Sequence, residues 1–230
     1  MAELEPNAEA SVPCLFIIDK AEIRCFSKKM RPSLSIKNIF LDRDGVIIKD
    51  MNYLSDPEKI AFIPGAVETM RLMQEFGISI FVVTNQSGIG RKYFTEHSYY
   101  RVENRLTCIL KQNGIVLSGT AFCPHRPDEM CCCRKPASGM WHKLSEHHSL
   151  KASQSIIIGD KQSDIEFGIN CGFKASVLVL TGHGKKYLKN MEIIQKPDKW
   201  FEPEPKPSGP SAVARDISAA WSWIEQRFLP

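Results

Sequence analysis

The chain has 230 residues and an apolar fraction of 43%, which suits one globular α/β domain with short additions. Its net charge of +4 comes from basic residues scattered among nearly as many acids, and this excludes the basic block of a nucleic-acid-binding protein. No apolar stretch approaches the roughly 20 residues of a membrane span, so we expect a cytoplasmic protein with no nucleic-acid or membrane partner.

Residues 1–35 are expected to be an N-terminal extension. An acidic stretch, Met1–Ser11, precedes two short apolar runs, Cys14–Ile18 and Ile23–Phe26. The two runs could pair as an accessory hairpin. Cys14–Ile18 is too short for a secretory signal and has acidic residues before it.

The chain is organised around the apolar run Ile39–Leu41, which ends abruptly at Asp42. A run this short predicts a strand buried on both faces. In an extended backbone Asp42 and Asp44 point the same way, while Gly45 permits the turn that follows. The alternative is an ordinary polar turn after a strand.

Helices and strands are predicted to alternate through the rest of residues 36–190. The helices are Pro64–Phe76, Thr95–Leu110, Met140–Leu150 and Ser163–Cys171, and the strands are Ile78–Val83, Ile115–Phe122, Ser155–Ile158 and Ala175–Leu180. Ala175–Leu180 is expected to be the last core strand. This alternation predicts a doubly wound parallel sheet, which binds ligands beyond the carboxyl ends of its strands.

Polar clusters follow three of these strands directly. Asp42 and Asp44 follow the first, Thr84 and Asn85 the second, and Asp160 with Lys161 a later one. Because these strand ends share one edge of the sheet, the clusters predict an active site there. Individually, Asp160 could instead be a helix N-cap and Lys161 a solvated charge. Asp164 could be a second cap or an outer partner of a metal.

The loop at 123–133 has the spacing of a structural zinc site. Cys123-Pro124-His125 is followed by Cys131-Cys132-Cys133, which supplies C-x-H and C-x-C ligand pairs. Alternate residues turn toward one metal more easily than neighbours do, so we predict Cys123, His125, Cys131 and Cys133 as ligands. A nucleic-acid-binding zinc finger is the rival interpretation, but no basic helix follows.

The C-terminal segment is expected to contain a linker and a helix. Five prolines in Pro197–Pro210 predict an extended linker. Residues 211–230 predict an amphipathic helix over Ala212–Phe228, with its apolar face packed on the core or on a second subunit.

Taken together, four ordered motifs resemble those of haloacid dehalogenase (HAD) superfamily phosphatases: Asp42-Arg43-Asp44-Gly45, Thr84-Asn85-Gln86, Arg134-Lys135-Pro136 and Gly159-Asp160-Lys161. The resemblance covers residues 38–184 and implies a HAD-like, Rossmann-type sheet without a large cap domain. It also implies that Asp42 attacks phosphorus to form an aspartyl-phosphate and that Asp44 acts as general acid and base.

The same resemblance implies two metals and a set of substrate contacts. Catalytic Mg²⁺ would be held by Asp42, Asp160 and the backbone carbonyl of Asp44, and structural Zn²⁺ by the cysteine loop. Thr84 and Lys135 would stabilise the phosphoryl group. Contacts to the substrate are expected from Arg43, Asp50, Met51, Asn52, Tyr53, Asn85, Gln86, Ser87, Arg134 and Lys161.

Within the superfamily, the zinc loop resembles two branches, the D-glycero-D-manno-heptose 1,7-bisphosphate 7-phosphatases and the histidinol-phosphate phosphatases. The run Thr84–Arg91, Gly139-Met140 and Tyr53 are similar to the heptose branch. The implied function is therefore phosphate removal from a small phosphorylated sugar in nucleotide-activated heptose synthesis, which feeds lipopolysaccharide. Separately, we expect the protein to be a monomer. Val46, Lys92 and Met51-Asn52 depart from the usual residues, which leaves sugar and anomer preference open.

Two further alternatives remain from the residues. A polynucleotide 3′-phosphatase shares a Thr-Asn-Gln-x-Gly-Ile-Gly-Arg run, but it would need a basic groove that this charge balance does not supply. A non-catalytic binding protein is disfavoured because Asp42, Asp44, Lys135 and Asp160 are all present.

Overall fold

A computed structural model describes residues 15–16, 35–190 and 198–229. In chain order the strands are β1 Leu15–Phe16, β2 Asn38–Leu41, β3 Ser79–Asn85, β4 Gly119–Cys123, β5 Ser155–Gly159, β6 Ala175–Val179, β7 Trp200–Phe201 and β8 Ala212–Ala214. The α-helices are α1 Ala66–Glu75, α2 Ser87–Gly90, α3 Glu96–Gln112, α4 Gly139–His148, α5 Gln162–Asn170, α6 Gly184–Asn190 and α7 Ile217–Phe228. Short 3₁₀ turns lie at Pro57–Lys59 and Ala152–Gln154.

The strands form one sheet in the order β1-β4-β3-β2-β5-β6-β8-β7. Strands β2 to β6 and β8 pair with one another in parallel, and the short edge strands β1 and β7 pair antiparallel with β4 and β8. The predicted doubly wound parallel sheet is thereby confirmed. Its central strand is β2, which pairs with β3 on one side and β5 on the other.

Alternate side chains of β2 pack into two separate cores, one on each face of the sheet. Ile39 and Leu41 belong to the core that α1, α3 and α7 cover. Phe40 belongs to the opposite core, where Trp141 of α4 and Phe167 of α5 cover it. Burial on both faces explains why this strand reads as a continuous apolar run, and it fixes the position of Asp42 at the strand's end.

The C-terminal segment differs from the predicted single helix. Residues 212–214 form buried strand β8, which pairs with Val177–Val179 of β6, so β6 is not the last core strand. The helix begins only at Ile217, after Asp216 accepts a hydrogen bond from the Ala219 amide as its N-cap. Three apolar residues are too few to show the hydrophobic periodicity of a strand or a helix. They form a strand because the edge of β6 is open for pairing.

The proline-rich segment also differs from a free linker, because Trp200–Phe201 pair with β8 at the sheet edge. Helix α7 packs on α1: Trp221 lies 5.5 Å from Phe76 between ring centroids, and the Ser218 and Thr69 hydroxyls are 2.8 Å apart. Except for β1, which pairs with β4, the predicted N-terminal hairpin lies outside the described residues.

Across the described ranges, none of the helices has both the length and the apolar character needed to cross a membrane.

Candidate active site

Asp42 and Lys135 form a buried ion pair at the end of the central strand. The Asp42 backbone N–H donates to the Ile158 carbonyl of β5, which extends the sheet pairing to this residue. Lys135 Nζ donates to Asp42 Oδ1 at 2.8 Å and to the Val83 carbonyl at 2.7 Å. It also lies 2.6 Å from Asp164 Oδ1. The ammonium of Lys135 therefore contacts two carboxylates, Asp42 after β2 and Asp164 after β5.

The charges around this pair control its protonation. Burial acts to raise the pKa of Asp42, but the ammonium groups of Lys135 and Lys161 outweigh it and lower that pKa below its usual value. Burial acts to lower the pKa of Lys135, but Asp164 and Asp42 outweigh it and raise that pKa. Asp42 is therefore a carboxylate, and Lys135 an ammonium, at neutral pH.

Asp44 lies beside Asp42 at the edge of the pocket, and its side chain is fixed by hydrogen bonds. Gln86 Nε2 donates to Asp44 Oδ2 at 2.8 Å and to Thr84 Oγ1 at 2.8 Å. Because the Thr84 hydroxyl accepts this bond, its own proton is left to donate toward a ligand. Gln86 thus links the two polar groups that sequence analysis placed at the ends of β2 and β3.

Arg43 does not contact the pocket, contrary to the predicted substrate contact. Its side chain is fully buried, and the guanidinium donates to Asp44 from Nε at 3.1 Å and from Nη2 at 2.9 Å. The alternation that points Asp42 and Asp44 outward turns the residue between them toward the interior. Arg43 therefore supports Asp44 from behind.

Three hard oxygen groups surround the ammonium of Lys161. Its Nζ lies 3.3 Å from Asp160 Oδ1, 3.6 Å from Asp42 Oδ2 and 3.5 Å from the Asp44 carbonyl oxygen. The side chains of Asp42, Asp160 and Asp164 also lie close enough together to share one metal ion. Both oxygens of Asp164 already face positive or donor groups, Lys135 Nζ and the Lys161 amide, so Asp164 acts as helix cap and charge partner.

Asp160 is a buried acid that lies close to the carboxylates of Asp42 and Asp164. Burial, followed by the nearby Asp42 charge, raises the pKa of Asp160 to about 7. Its Oδ2 accepts a hydrogen bond from the His183 amide at 2.7 Å. Gly45 and Gly182 approach so closely that a Cβ on either would meet this carboxylate, and both have positive φ. A second cation beside Asp160 would favour its charged form.

The mouth of the pocket is built around Asp50. Asp50 Oδ1 accepts from the Asn52 amide at 3.0 Å, and Oδ2 lies 3.1 Å from His183 Nε2. This turn holds Asn52 and Tyr53 at positive φ and presents both to the pocket. Met51 points elsewhere, 48% exposed and away from the pocket lining, so its predicted substrate contact is not seen.

The pocket brings together most of the predicted site residues. Its volume is about 280 Å³. It is lined by Asp42, Asp44, Asp50, Asn52, Tyr53, Leu54, Thr84, Asn85, Gln86, Ser87, Arg134, Lys135, Lys161, Ser163, Asp164 and His183.

His183 and Ser163 were missed by sequence analysis. Ser163 lies at the start of a predicted helix, where serine is an ordinary residue. His183 follows β6, and its signal was available: Thr181-Gly182-His183-Gly184 is a polar, glycine-rich run directly after a buried strand. Thr181 Oγ1 donates to the Gly45 carbonyl at 2.6 Å, which ties this loop to the turn after Asp44.

The cysteine loop forms a four-residue cluster of Cys123, His125, Cys131 and Cys133 that could hold a metal ion. His125 Nδ1 lies 3.5 Å from Cys123 Sγ and 3.3 Å from Cys133 Sγ, and the sulfurs of Cys123 and Cys131 are 3.8 Å apart. Cys132 is exposed and outside the cluster. Arg134 Nη1 donates to the His125 carbonyl at 3.3 Å, so the loop also fixes this pocket residue.

Comparisons with known proteins agree with this geometry. A family model described as HAD-hydrolase-like matches residues 132–219. A probable D-glycero-D-manno-heptose-1,7-bisphosphate 7-phosphatase from Thermoplasma volcanium is 41% identical over 133 residues, covering 57% of this chain and 91% of the relative. The chain belongs to this family of HAD phosphatases.

Other members of the heptose bisphosphate phosphatase family match over a similar share. The α-anomer enzyme of Photorhabdus laumondii is 37% identical, covering 64% of this chain and 85% of its own length. The solved heptose 1,7-bisphosphate phosphatase of B. bronchiseptica, complexed with magnesium and phosphate, has a TM-score of 0.70 at 27% identity, covering 83% of this chain and 99% of that one. The HAD-hydrolase-like match extends to residue 219, which includes β8.

Proposed function

We propose that the chain is a Mg²⁺-dependent phosphatase that removes the 7-phosphate of D-glycero-D-manno-heptose 1,7-bisphosphate through an aspartyl-phosphate on Asp42. The observation that carries this proposal is the convergence of Asp42, Asp44, Lys135 and Asp160 at one rim of the sheet. Relatives from two organisms carry this activity in their names. The pathway would be nucleotide-activated heptose synthesis.

In the first step, a carboxylate oxygen of Asp42 attacks phosphorus and the bond from phosphorus to the sugar oxygen breaks. Asp44 gives its proton to that leaving oxygen, which avoids release of an alkoxide. Lys135 remains within hydrogen-bonding distance of Asp42 and balances the charge that spreads over the phosphoryl oxygens. The Thr84 hydroxyl supplies a further donor to these oxygens.

In the second step, water attacks the phosphorus of the aspartyl-phosphate. Asp44, now a carboxylate, accepts the proton of that water, and the bond between Asp42 and phosphorus breaks to release inorganic phosphate. Asp42 and Asp44 thereby return to their starting states. Gln86 keeps Asp44 in one orientation through both steps.

Magnesium fits the acidic group near Lys161. The carboxylates of Asp42 and Asp160 and the carbonyl of Asp44 are hard oxygen donors, and all three lie within 3.6 Å of the Lys161 ammonium, which marks a cation position. Asp160 Oδ1 is buried and makes no hydrogen bond to the described residues. Bound Mg²⁺ would neutralise phosphoryl charge and orient the group for in-line attack.

Zinc fits the cysteine cluster. Tetrahedral coordination with bonds of about 2.0–2.3 Å separates neighbouring ligands by about 3.3–3.8 Å, and the separations of 3.3, 3.5 and 3.8 Å in this cluster match. Four protein ligands leave no open position, so this zinc would be structural. Its role would be to hold Arg134 and Lys135, which follow the last ligand directly.

The size of the pocket supports a small phosphorylated sugar. A volume of about 280 Å³ lies near the lower end of the range for small-molecule sites. Arg134 and Lys161 supply positive charge beside the acidic centre, which suits a second phosphate group. Histidinol phosphate is the alternative substrate, but its cationic side chain gains nothing from these two residues.

The test is phosphate release from both anomers of heptose 1,7-bisphosphate, from histidinol phosphate and from a 3′-phosphorylated oligonucleotide. We expect the highest kcat/KM on a heptose bisphosphate. Both anomers are needed, because relatives named for each match this chain. Equal or faster turnover of histidinol phosphate would contradict the substrate assignment.

We also propose that the enzyme is a cytoplasmic monomer. Asp42, Asp44, Lys135 and Asp160 all belong to this chain and meet at one rim of its sheet, so a second copy is not needed to complete the site. The six described cysteines form no disulfide with one another, which suits a reducing compartment. Size-exclusion chromatography coupled to light scattering tests the proposed monomeric state, and the mass of a dimer would contradict it.

A further inference from the structure

Helix α3 carries a buried carboxylate, Glu103, that faces Arg43 behind the pocket. Glu103 is 3% exposed and Arg43 is 0% exposed. Glu103 Oε2 lies 3.7 Å from Arg43 Nη1, while the opposite edge of the guanidinium contacts Asp44. Arg43 is therefore held between a carboxylate of α3 and a carboxylate of the pocket.

The orientation of this guanidinium is restricted on two sides. Glu103 faces one edge, and the ring of Tyr99, also on α3, lies against its face with 5.5 Å from Cζ to the ring centroid. Because the guanidinium is a rigid plane, fixing one edge and one face aligns the remaining edge. That remaining edge donates to Asp44.

The two carboxylate oxygens of Asp44 have different surroundings as a result. Oδ2 accepts from Arg43 Nε at 3.1 Å, Arg43 Nη2 at 2.9 Å and Gln86 Nε2 at 2.8 Å. Oδ1 has one longer contact, 3.2 Å from Arg43 Nη2. Oδ2 is committed to the protein, whereas Oδ1 keeps lone pairs for a substrate oxygen or water.

The buried group formed by Glu103, Arg43, Tyr99 and Thr120 is an arrangement that stability alone would not favour. Burial raises the pKa of Glu103, and the Arg43 charge opposes the rise. Within the described part of the chain, both Glu103 oxygens, Arg43 Nη1, the Tyr99 hydroxyl and the Thr120 hydroxyl lack a hydrogen bond of good geometry. Thr120 and Arg43 nevertheless lie near enough to Glu103 to act against the rise of its pKa. Desolvated charges with incomplete bonding generally cost more than an apolar replacement would, which favours a role in the site.

We propose that Glu103 is a positioning residue that acts through Arg43 to aim Asp44, and that Asp44 Oδ1 is the atom that exchanges the proton. The inference rests on the proposed function. Oδ1 gives its proton to the leaving oxygen as the bond from phosphorus to that oxygen breaks, and it takes a proton back from the attacking water. Oδ2 stays bonded to Arg43 and Gln86 throughout.

The test is the variant Glu103→Gln, which keeps the shape of the side chain and removes its charge. Single-turnover phosphorylation of the enzyme is measured with an alkyl phosphate, whose leaving group needs a proton, and with p-nitrophenyl phosphate, whose leaving group does not. We expect the alkyl rate to fall about tenfold and the aryl rate less than about twofold. Glu75→Gln, an exposed position on α1, should change neither rate.

An equal loss on both esters would indicate a merely structural role and would overturn the inference, as would no loss on either. If Glu103→Gln gives little folded protein by circular dichroism, Arg43→Lys replaces it, because lysine keeps the charge and loses the planar fork; the same selective loss is expected. A wild-type protein inactive on both esters would overturn the proposed function as well. An active wild type with an unchanged alkyl-to-aryl ratio in the variant would overturn this inference alone.

Discussion

The side-chain amide of Asn85 forms two hydrogen bonds with the backbone of Lys135. Asn85 Nδ2 donates to the Lys135 carbonyl at 3.1 Å, and Asn85 Oδ1 accepts from the Lys135 amide at 3.0 Å. The end of β3 thereby fixes the residue whose ammonium contacts Asp42. Asn85 also lines the pocket, and this pairing adds a positioning role to its predicted substrate contact.

We predict that Asn85→Ala lowers kcat about 10- to 100-fold, because a small displacement of a catalytic group is enough for such a loss. Losing the two bonds should lower the free energy of unfolding by about 1–3 kcal/mol. Steady-state kinetics and urea denaturation measure the two effects. Unchanged kcat in a folded variant would show that Lys135 does not depend on Asn85.

The mouth of the pocket gives a prediction about substrate affinity. His183→Ala removes the contact to Asp50 but keeps the backbone N–H that holds Asp160. We expect KM to rise about fivefold, equivalent to one hydrogen bond of about 1 kcal/mol, with magnesium affinity unchanged. His147→Ala, at an exposed position of α4, is the matched control. A weaker magnesium affinity in His183→Ala would contradict this division of roles.

The pH dependence of magnesium binding follows from Asp160. Burial and the Asp42 charge raise its pKa to about 7 from the usual 3.8, so a proton competes with Mg²⁺ below neutral pH. We expect the magnesium dissociation constant, measured by calorimetry, to increase by up to about tenfold per pH unit as the pH falls below 7. The range from pH 6 to pH 8 spans about one unit on either side of that pKa. A dissociation constant that does not change over this range would contradict competition between the proton and Mg²⁺ at Asp160.

The same group affects the stability of the metal-free enzyme. Between the unfolded pKa and the folded pKa, the folded state binds the extra proton, so this group's contribution to the free energy of unfolding decreases as pH rises through that window. Asp160→Asn should remove this contribution. Thermal melts in chelator across the window measure it, and identical pH profiles for the two proteins would count against the raised pKa.

The metal in the cysteine loop is tested by neighbouring substitutions. Cys123→Ser removes a ligand and should abolish zinc binding, with a loss of about 4 kcal/mol and a melting temperature lower by about 8–16 °C. Cys132→Ser changes the exposed neighbour outside the cluster and should leave both unchanged. Metal analysis and thermal melts report the result. Equal zinc content in the two variants would refute the ligand set.

Local sequence was sufficient to predict the site residues that directly follow buried strands. Asp42, Thr84 and Asp160 each follow a buried apolar run, and parallel strands bring such ends to one edge. Arg43 could not be placed this way, because its partner Glu103 lies 60 residues further on and only tertiary packing reveals the pair. Strand β8 was missed for a similar reason, since three apolar residues carry no period without the edge of β6 beside them.

The central claim is that Asp42 is the nucleophile, and rapid acid quenching followed by peptide mass spectrometry tests it most directly. During turnover with magnesium and heptose 1,7-bisphosphate, we predict one phosphoryl group on the peptide that contains Asp42, and none in Asp42→Asn, which should remain folded and inactive. Retained turnover in Asp42→Asn, or a phosphoryl group on another residue, would contradict the account.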